Sequence, residues 1–222
     1  TPVRPAITAQ PQSLTVGEGN PATFTAGFDG SAPLNFQWFK DNVARVFSCE
    51  QAKVHIITRD VGGGFGPRSH LYPEYVLSLW AARKLGRPVK WVSERSEAFL
   101  SDYQARDLLT RAALALDANG RFLGLRVSAY FNVGGNCVNF MPAVNVSRIS
   151  TTVYKTPSLY LRAMGIMTHT LASVNYRGAG RPQAMLTMER LIDLAAQKTG
   201  IDRIELRRRN LIAPTDFPYK TA

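Results

Sequence analysis

Two glycine-rich stretches carry the residue types that could bind an anionic ligand. The first reads VGGGFGPR over residues 61–68, and the second reads YRGAGRPQ over residues 176–183. Glycine permits positive φ and a close approach of the backbone, so successive amide groups can point at one anion. Arg68, Arg177 and Arg181 could add forked donors for phosphate or oxo groups. The pair of loops therefore predicts one anionic ligand that is contacted from two sides.

Each of the two loops also fits a purely structural role. The stretch GGGFG alone suits a tight turn as well as an anion-binding loop. No Gly-Lys-Ser/Thr follows it, and the spacing does not match a dinucleotide-binding fingerprint. The second loop could be only the entry to a helix, but burial of Arg177 beside glycines would be costly without an anion. An anionic ligand accounts for both loops together.

Composition limits the class of protein. The 222 residues are 45% hydrophobic and 19% charged, as in a globular protein that can bury a core. The net charge of +11 suggests an anionic partner. The only tight basic cluster is Arg207–Arg209, and no basic stretch alternates with aromatic residues, so we expect no nucleic-acid binding. No apolar run is long enough for a membrane span.

The two cysteines bear on the compartment. Cys49 and Cys137 lie far apart in sequence and are expected to be buried free thiols. Free thiols fit a reducing compartment, so the predicted location is the cytoplasm, with the periplasm as the alternative.

From residue 43 onward the pattern alternates between strands and helices. It predicts a short helix from residue 43, a strand at 54–58, a helix at 72–85, a strand at 88–93, a hairpin around Asp117–Gly120 and a strand within 159–170. Pro182 and Gly200 bound a further helix, with Asp202 and Glu205 as a capping box for the next. The expected buried face of the helix between Pro182 and Gly200 comprises Met185, Met188, Leu191, Ile192 and Ala195.

Residues 1–42 differ from the rest. Short β-prone pieces, SLTV, ATFTAGF and NFQWFK, are separated by turn residues. They resemble the first strands of a bacterial immunoglobulin-like domain, with Trp38 in the core position of the third strand. The later strands of that fold do not follow. Residues 1–42 are therefore expected to form a partial immunoglobulin-like β segment.

Residues 43–222 resemble the molybdenum-cofactor-binding large subunit of the xanthine dehydrogenase and aldehyde oxidase family, especially bacterial relatives of aerobic carbon monoxide dehydrogenase. Five blocks in the family's order carry the resemblance: VHIITRDVGGGFGPR, LGRPVKWVSERSEAF, ARDLLTRAALALDANGRFLGLRV, YRGAGRPQAMLTMERLIDLAAQKTGID and ELRRRNLI. The expected fold is thus α+β (mixed α/β), the N-terminal part of a truncated molybdenum-cofactor-binding domain. The short, incomplete all-β segment precedes it.

The resemblance implies a molybdenum-molybdopterin cofactor, in bacteria usually the cytosine dinucleotide form. It implies oxidation of an aldehyde or N-heterocycle, a small-molecule substrate, with water as the oxygen source. Iron-sulfur clusters and FAD are expected on an iron-sulfur subunit and a flavin subunit. No residue of this chain is expected to ligate the metal directly.

The same resemblance assigns roles to residues. The Gly66 amide would donate a hydrogen bond to the apical oxo ligand of molybdenum, and Arg177 would be the cation nearest the cofactor. The expected cofactor-binding residues are Gly63, Gly64, Phe65, Gly66, Tyr176, Arg177, Gly178, Ala179 and Gly180.

Departures from the family pattern concern the substrate. Ser69 stands where purine-oxidising members have a glutamate, which argues against xanthine. Gly178 stands where carbon monoxide dehydrogenases have a copper-binding cysteine, which argues against a copper-molybdenum site. Ser69 and Arg106 are the candidate substrate residues.

The catalytic base is expected outside this chain. Family members use a glutamate near their C-terminus, and the motif that carries it does not occur here. Glu74, Glu94, Glu97 and Glu189 are interpreted as helix or surface residues, and the three histidines have no ligand partners at helical spacing. The isolated chain is therefore expected to bind the cofactor weakly or not at all and to show no turnover.

Two functions of other classes stay open on the sequence. One is an extracellular binding or adhesion module whose functional part is the immunoglobulin-like segment. The other, which the scattered basic residues disfavour, is a basic nucleic-acid-binding protein.

Overall fold

The computed structural model describes residues 25–29 and 36–221. The chain forms two compact units, one ending at Glu97 and one beginning at Ala98. Within the described residues, no helix is both long enough and apolar enough to cross a membrane.

The first unit positions the first glycine loop. Strand β1 (Thr25–Asp29) pairs in parallel with β2 (His55–Arg59), and helix α1 (Phe36–Val46) lies between them in the chain. A 3₁₀ turn, Gln51–Lys53, leads from α1 into β2. The glycine loop follows β2, and a second 3₁₀ turn, Pro67–Ser69, leads to helix α2 (Pro73–Leu85). The predicted strand, glycine loop and helix are therefore all present in this order.

Helix α1 corrects the interpretation of NFQWFK as a third immunoglobulin strand. Residues 36–46 form a helix, in which Val43 and Ala44 are buried. Phe36, Phe39 and Val43 are spaced in the sequence as on one helix face, so the stretch fits a helical period as well as the β propensity of its aromatic residues. The immunoglobulin-like segment is not confirmed, and its first strand, SLTV, lies outside the described residues.

A second correction concerns PVKWVS at residues 88–93, where the structure has no strand. Residues 87–92 are exposed, and a strand needs a hydrogen-bonded neighbour that this segment lacks within the described residues. The short helix α3 (Arg95–Ser101) follows it.

The second unit is a three-stranded sheet with helices on one face. Strands β3 (Leu108–Leu116) and β4 (Phe122–Gly134) form the predicted antiparallel hairpin, and β5 (Leu159–Met167) pairs in parallel with β4. The Asp117 carboxylate accepts hydrogen bonds from the amides of Asn119 and Arg121 at 2.9 and 2.8 Å, which closes the turn.

The core lies between this sheet and two helices, α4 (Met141–Ile149) and α5 (Arg181–Thr199). Inward residues of β4 alternate with outward ones, as half-buried strands do. On α5 the predicted buried face is largely correct, but Met185 is exposed and Ala184 takes its place. The buried side chains are Phe122, Leu125, Val127, Ala129, Phe131, Ala143, Val146, Tyr154, Ala184, Met188, Ile192, Ala195, Ala196 and Leu206.

Helix α6 (Arg203–Asn210) begins at the predicted cap. The Asp202 carboxylate accepts hydrogen bonds from the amides of Ile204 and Glu205. Glu205 pairs with Arg209 at 2.9 Å, one helical turn later. The helix start is confirmed, and the Glu205 side chain is used for an ion pair along the helix.

The cysteines are free, as predicted, but they are not both buried. Cys49 is half-buried and Cys137 is exposed.

Candidate cofactor-binding loops

The first glycine loop has a backbone that few residues other than glycine adopt. Gly63 and Gly66 have φ of 105° and 108°, and Phe65 between them has φ of 50°. A Cβ at Gly63 would lie 3.1 Å from the Phe65 ring, which leaves little room for any other residue. The Phe65 ring is 53% exposed, so the loop presents an aromatic side chain to its surroundings.

Four consecutive amides of this loop, at residues 63–66, donate to no acceptor within the described part of the chain. The loop is closed from its C-terminal side, where the Gly66 carbonyl accepts hydrogen bonds from the amide and the hydroxyl of Ser69 at 3.1 and 2.5 Å. A turn that is closed in this way and leaves its amides available has the donor set that an anion requires.

The cation and the hydroxyl that follow this loop have partners in the structure. The Arg68 guanidinium lies 5.0 Å from the centre of the Tyr72 ring, and the Ser69 hydroxyl is hydrogen-bonded to the Gly66 carbonyl. The substrate role of Ser69 stays a prediction.

The second loop repeats the design of the first. Gly178, Ala179 and Gly180 have φ of 90°, 39° and 94° in succession, directly before α5. The Ala179 amide donates to the Tyr176 carbonyl at 2.6 Å, and the Arg181 amide donates to the Gly178 carbonyl at 3.0 Å. The amides of Gly178 and Gly180 have no acceptor among the described residues. Along residues 178–181, amides without an acceptor therefore alternate with the hydrogen-bonded amides of Ala179 and Arg181.

Helix α4 supports the second loop. The buried Asn145 side chain donates from Nδ2 to the Ala179 carbonyl at 2.8 Å. Gly180 packs so closely on the Pro142 carbonyl that a Cβ would overlap with it. Sequence reasoning missed α4 and Asn145; Pro142 at the first turn of an apolar stretch was the signal that could have predicted the helix.

Arg106 lies against the same loop from the start of β3. Its guanidinium is 5.1 Å from the centre of the Tyr176 ring. It donates hydrogen bonds to the Arg177 carbonyl and, at 3.5 Å, to Oε1 of Gln183. The Arg177 side chain is exposed and has no hydrogen-bond or ion-pair partner in the described residues. Within this unit Arg177 is thus a cation available for a ligand.

The candidate carboxylates have structural positions. Glu189 on α5 accepts hydrogen bonds from the Tyr154 hydroxyl at 2.7 Å and from Nε of Arg207 at 2.8 Å. Burial and the hydrogen bond with Glu189 raise the pKa of Tyr154 to about 12. Glu74 lies in the first turn of α2 and Glu97 in α3, while Glu94 is exposed. The described residues contain no group of three His, Cys, Asp or Glu side chains that could hold a metal ion.

A known protein family covers most of the chain, including both glycine loops. Residues 31–211 match the family model described as the molybdopterin cofactor-binding domain. This match begins upstream of residue 43, where the sequence pattern placed the start of the domain.

Curated relatives agree with the family match. The chain is 34% identical to the carbon monoxide dehydrogenase large chain of Hydrogenophaga pseudoflava, over 81% of this chain and 23% of that protein. It is 32% identical to the gamma subunit of the 6-hydroxypseudooxynicotine dehydrogenase complex of Paenarthrobacter nicotinovorans, over 80% of this chain and 22% of that protein. The chain therefore spans less than a quarter of the length of these relatives.

Solved structures show the same fold. Quinoline 2-oxidoreductase from Pseudomonas putida 86 superposes with a TM-score of 0.76 at 32% identity, over 83% of this chain and 24% of that one. Carbon monoxide dehydrogenase from Oligotropha carboxidovorans gives a TM-score of 0.78 at 31% identity, over the same shares of 83% and 24%. The chain belongs to the molybdopterin cofactor-binding domain family of the molybdenum hydroxylases, with relatives that include carbon monoxide dehydrogenase and xanthine dehydrogenase.

Proposed function

We propose that the chain is part of the region that binds a molybdenum-molybdopterin cofactor, and that each glycine loop, within its own unit, presents donors suited to this ligand. The observation that carries the proposal is the row of amides without protein acceptors at residues 63–66, repeated at Gly178 and Gly180 within the described residues. Pterin, phosphate and oxo groups are acceptors, so this donor set fits the cofactor. Because the amides are already oriented in the structure, we propose that the chain alone binds the cofactor weakly but measurably, the first of the two outcomes expected from the sequence.

Each loop has its own task in this proposal. In the first loop the Gly66 amide donates to a cofactor oxygen, and the exposed Phe65 ring excludes water from the side on which it lies. In the second loop the Gly178 and Gly180 amides donate to cofactor oxygens, and the Arg177 guanidinium supplies positive charge. The amides of Gly63 and Gly64 belong to the same row of donors as that of Gly66, whereas Tyr176 and Ala179 shape the second loop.

We further propose the cytosine dinucleotide form of the cofactor. Its diphosphate adds negative charge, which suits a chain with a net charge of +11. The family resemblance implies this form for bacterial members, and these two relatives are bacterial.

When bound, the cofactor supplies the oxidation of a substrate carbon with water as the oxygen source. We propose that the whole protein acts in this way on an aldehyde or an N-heterocycle. Names of relatives favour the heterocycle: they include nicotine 6-hydroxylase, nicotinate hydroxylase and quinoline 2-oxidoreductase, at 30%, 31% and 32% identity. Ser69 and Gly178, where the sequence departs from the family pattern, argue against purine and carbon monoxide.

Electrons would leave through iron-sulfur and flavin groups on partner subunits. The relatives whose names contain "large chain" or "complex subunit" support an assembly of this kind. We propose the cytoplasm as the location, with the periplasm as the alternative.

The proposal is tested by equilibrium dialysis of the chain against molybdenum-molybdopterin. Arg177→Gln removes the available cation, and Arg190→Gln is the matched control, because Arg190 is an exposed arginine on α5. We expect the dissociation constant to rise about tenfold in the first variant, as for one charged hydrogen bond. Equal affinity of the two variants, or no saturable binding by the wild type, would refute the proposal.

A further inference from the structure

Arg106 has a backbone conformation that is unusual for arginine. Its φ is 74°, in the left-handed region that side chains with a Cβ rarely adopt. Such a conformation persists only where the surrounding structure holds it, and it marks a position worth a functional explanation.

Residues on both sides of Arg106 are fixed. The Gln104 amide donates to the Ala172 carbonyl at 3.0 Å, and the Val174 amide donates to the Gln104 carbonyl at 2.9 Å. On the other side, Nδ2 of Asn132 donates to the Asp107 carboxylate at 2.8 Å. The backbone is thus tied to the segment before the second loop and to β4, and the strained residue between them directs its side chain onto the loop.

Among the residues that the structure describes, the Arg106 guanidinium makes three contacts, with the second loop and with the helix that follows it. It stacks over Tyr176, donates to the Arg177 carbonyl and reaches Oε1 of Gln183. The contact that matters for ligand binding is the one to the Arg177 carbonyl.

A trans peptide unit is planar, with its carbonyl and its amide pointing in opposite directions. The Arg177 carbonyl and the Gly178 amide belong to one such unit, so a donor that holds the carbonyl turns the amide away from it. The Ala179 carbonyl and the Gly180 amide form the next unit but one, and there Asn145 holds the carbonyl at 2.8 Å. Arg106 and Asn145 therefore hold the carbonyl oxygens of two peptide units. The amides of these same units, at Gly178 and Gly180, are the two loop amides without acceptors among the described residues.

We propose that Arg106 and Asn145 are positioning residues that orient the Gly178 and Gly180 amides toward the cofactor. For Arg106 this role replaces the substrate contact predicted from the sequence. The inference rests on the proposed function for the identity of the ligand. The way in which the loop is held is a property of the chain alone.

The first test needs no cofactor. Hydrogen exchange is measured at the amides of Ala179 and Arg181, which are hydrogen-bonded within the loop, in the wild type, Arg106→Ala, Arg106→Lys and Arg106→Gly. Exchange should be about tenfold faster in Arg106→Ala, with partial rescue by lysine, which keeps the charge but loses the forked donor. Arg111→Ala is the control, because Arg111 is an exposed arginine on β3.

Arg106→Gly separates loop positioning from general stability. Glycine relieves the positive φ, so the melting temperature should stay equal or rise while exchange at Ala179 and Arg181 still accelerates. Exchange at the wild-type rate in both Arg106→Gly and Arg106→Ala would overturn the inference.

The second test measures dialysis against molybdenum-molybdopterin. Arg106→Ala should weaken binding about tenfold and Arg111→Ala should leave it unchanged. If Arg106 only contacted substrate, Arg106→Ala would bind the cofactor and exchange its loop amides like the wild type. That result would overturn the inference. If the wild type itself does not bind, the proposed function fails, whereas the exchange rates still decide whether Arg106 holds the loop.

Discussion

Nδ2 of Asn145 donates a 2.8 Å hydrogen bond to the carbonyl oxygen of Ala179, and Asn145 is only 5% exposed. The buried face of helix α4 thus fixes one peptide unit of the second glycine loop. The amide on the other end of that unit belongs to Gly180 and points away from Asn145. A residue buried beneath the loop can therefore set the direction of a ligand-binding donor.

Replacement of Asn145 should affect the loop and the fold together. Asn145→Asp puts a carboxylate against a carbonyl oxygen, so we expect a loss of about 1–3 kcal/mol in unfolding free energy and weaker binding of molybdenum-molybdopterin. Urea unfolding and equilibrium dialysis measure the two effects. Ser147→Ala on the same helix removes only a bond to the Ala143 carbonyl and is the control. Wild-type affinity in Asn145→Asp would contradict the role given to this residue.

Gly180→Ala should be strongly destabilising. Its φ is 94°, and a Cβ would overlap with the Pro142 carbonyl, so both strain and collision oppose the substitution. We expect a loss of about 2–4 kcal/mol in unfolding free energy. Gly200→Ala is a matched comparison: φ is 73° there, but nothing lies within 4 Å, so only the strain of about 1 kcal/mol should appear in urea unfolding. Equal losses in the two variants would show that the contact with Pro142 is unimportant.

Gly66→Ala should reduce cofactor binding more than stability. Gly66 has φ of 108°, and its amide is one of those without an acceptor in the described part of the protein. Because alanine rarely adopts this φ, the substitution should rotate the peptide and turn the residue-66 amide away from the cofactor. We expect binding to weaken by about tenfold or more in dialysis. Gly62→Ala is the control, because Gly62 has open space around it and an ordinary φ. If both alanines bind the cofactor like the wild type, the first loop has another function.

The acid sensitivity of the second unit should depend on Asp202. Hydrogen bonds from the backbone amides of Glu205 and Ile204 hold the pKa of Asp202 below its ordinary value of 3.8. A lowered carboxyl pKa stabilises the fold above the ordinary value, and this contribution is lost as the pH falls through the folded value. We therefore expect the unfolding free energy to drop below pH 3.8, and less so in Asp202→Asn. Asparagine also caps helices, so this variant should keep α6 at neutral pH. An unchanged acid profile in Asp202→Asn would contradict the assignment.

The isolated chain should not turn over aldehydes or N-heterocycles, even when loaded with cofactor. The two loops contain no carboxylate, and the Glu189 carboxylate is held by Tyr154 and Arg207. A general base must lie within hydrogen-bond reach of the proton it removes. The measurement is product formation from benzaldehyde and quinoline with an artificial electron acceptor. Turnover that Glu189→Gln abolishes would show that the base lies in this chain after all.

The elements around the loops could be predicted because local chemistry determines them. Asp117 and Gly120 close the β3–β4 turn, and Gly200 with φ of 73° ends α5 where expected. The glycines marked both stretches as loops with positive φ, although positive φ at Phe65 and Ala179 between them could not be predicted.

The supporting contacts could not be predicted in the same way. The positions of Arg106 and Asn145 against the second loop depend on how β3 and α4 pack around it, and no period in the sequence reports which carbonyl a side chain will hold. The first part of the helix at 36–46, within NFQWFK, was mistaken for a strand for a related reason. Short aromatic stretches satisfy either period, and packing selects one.

Titration of the wild type tests most directly whether the chain binds molybdenum-molybdopterin. The chain is dialysed against the cofactor with and without excess plain duplex DNA, at two salt concentrations. We predict weak, saturable binding of the cofactor that DNA does not displace. No saturable cofactor binding, or binding that duplex DNA removes at low salt, would contradict the proposed function and favour a general anion-binding surface.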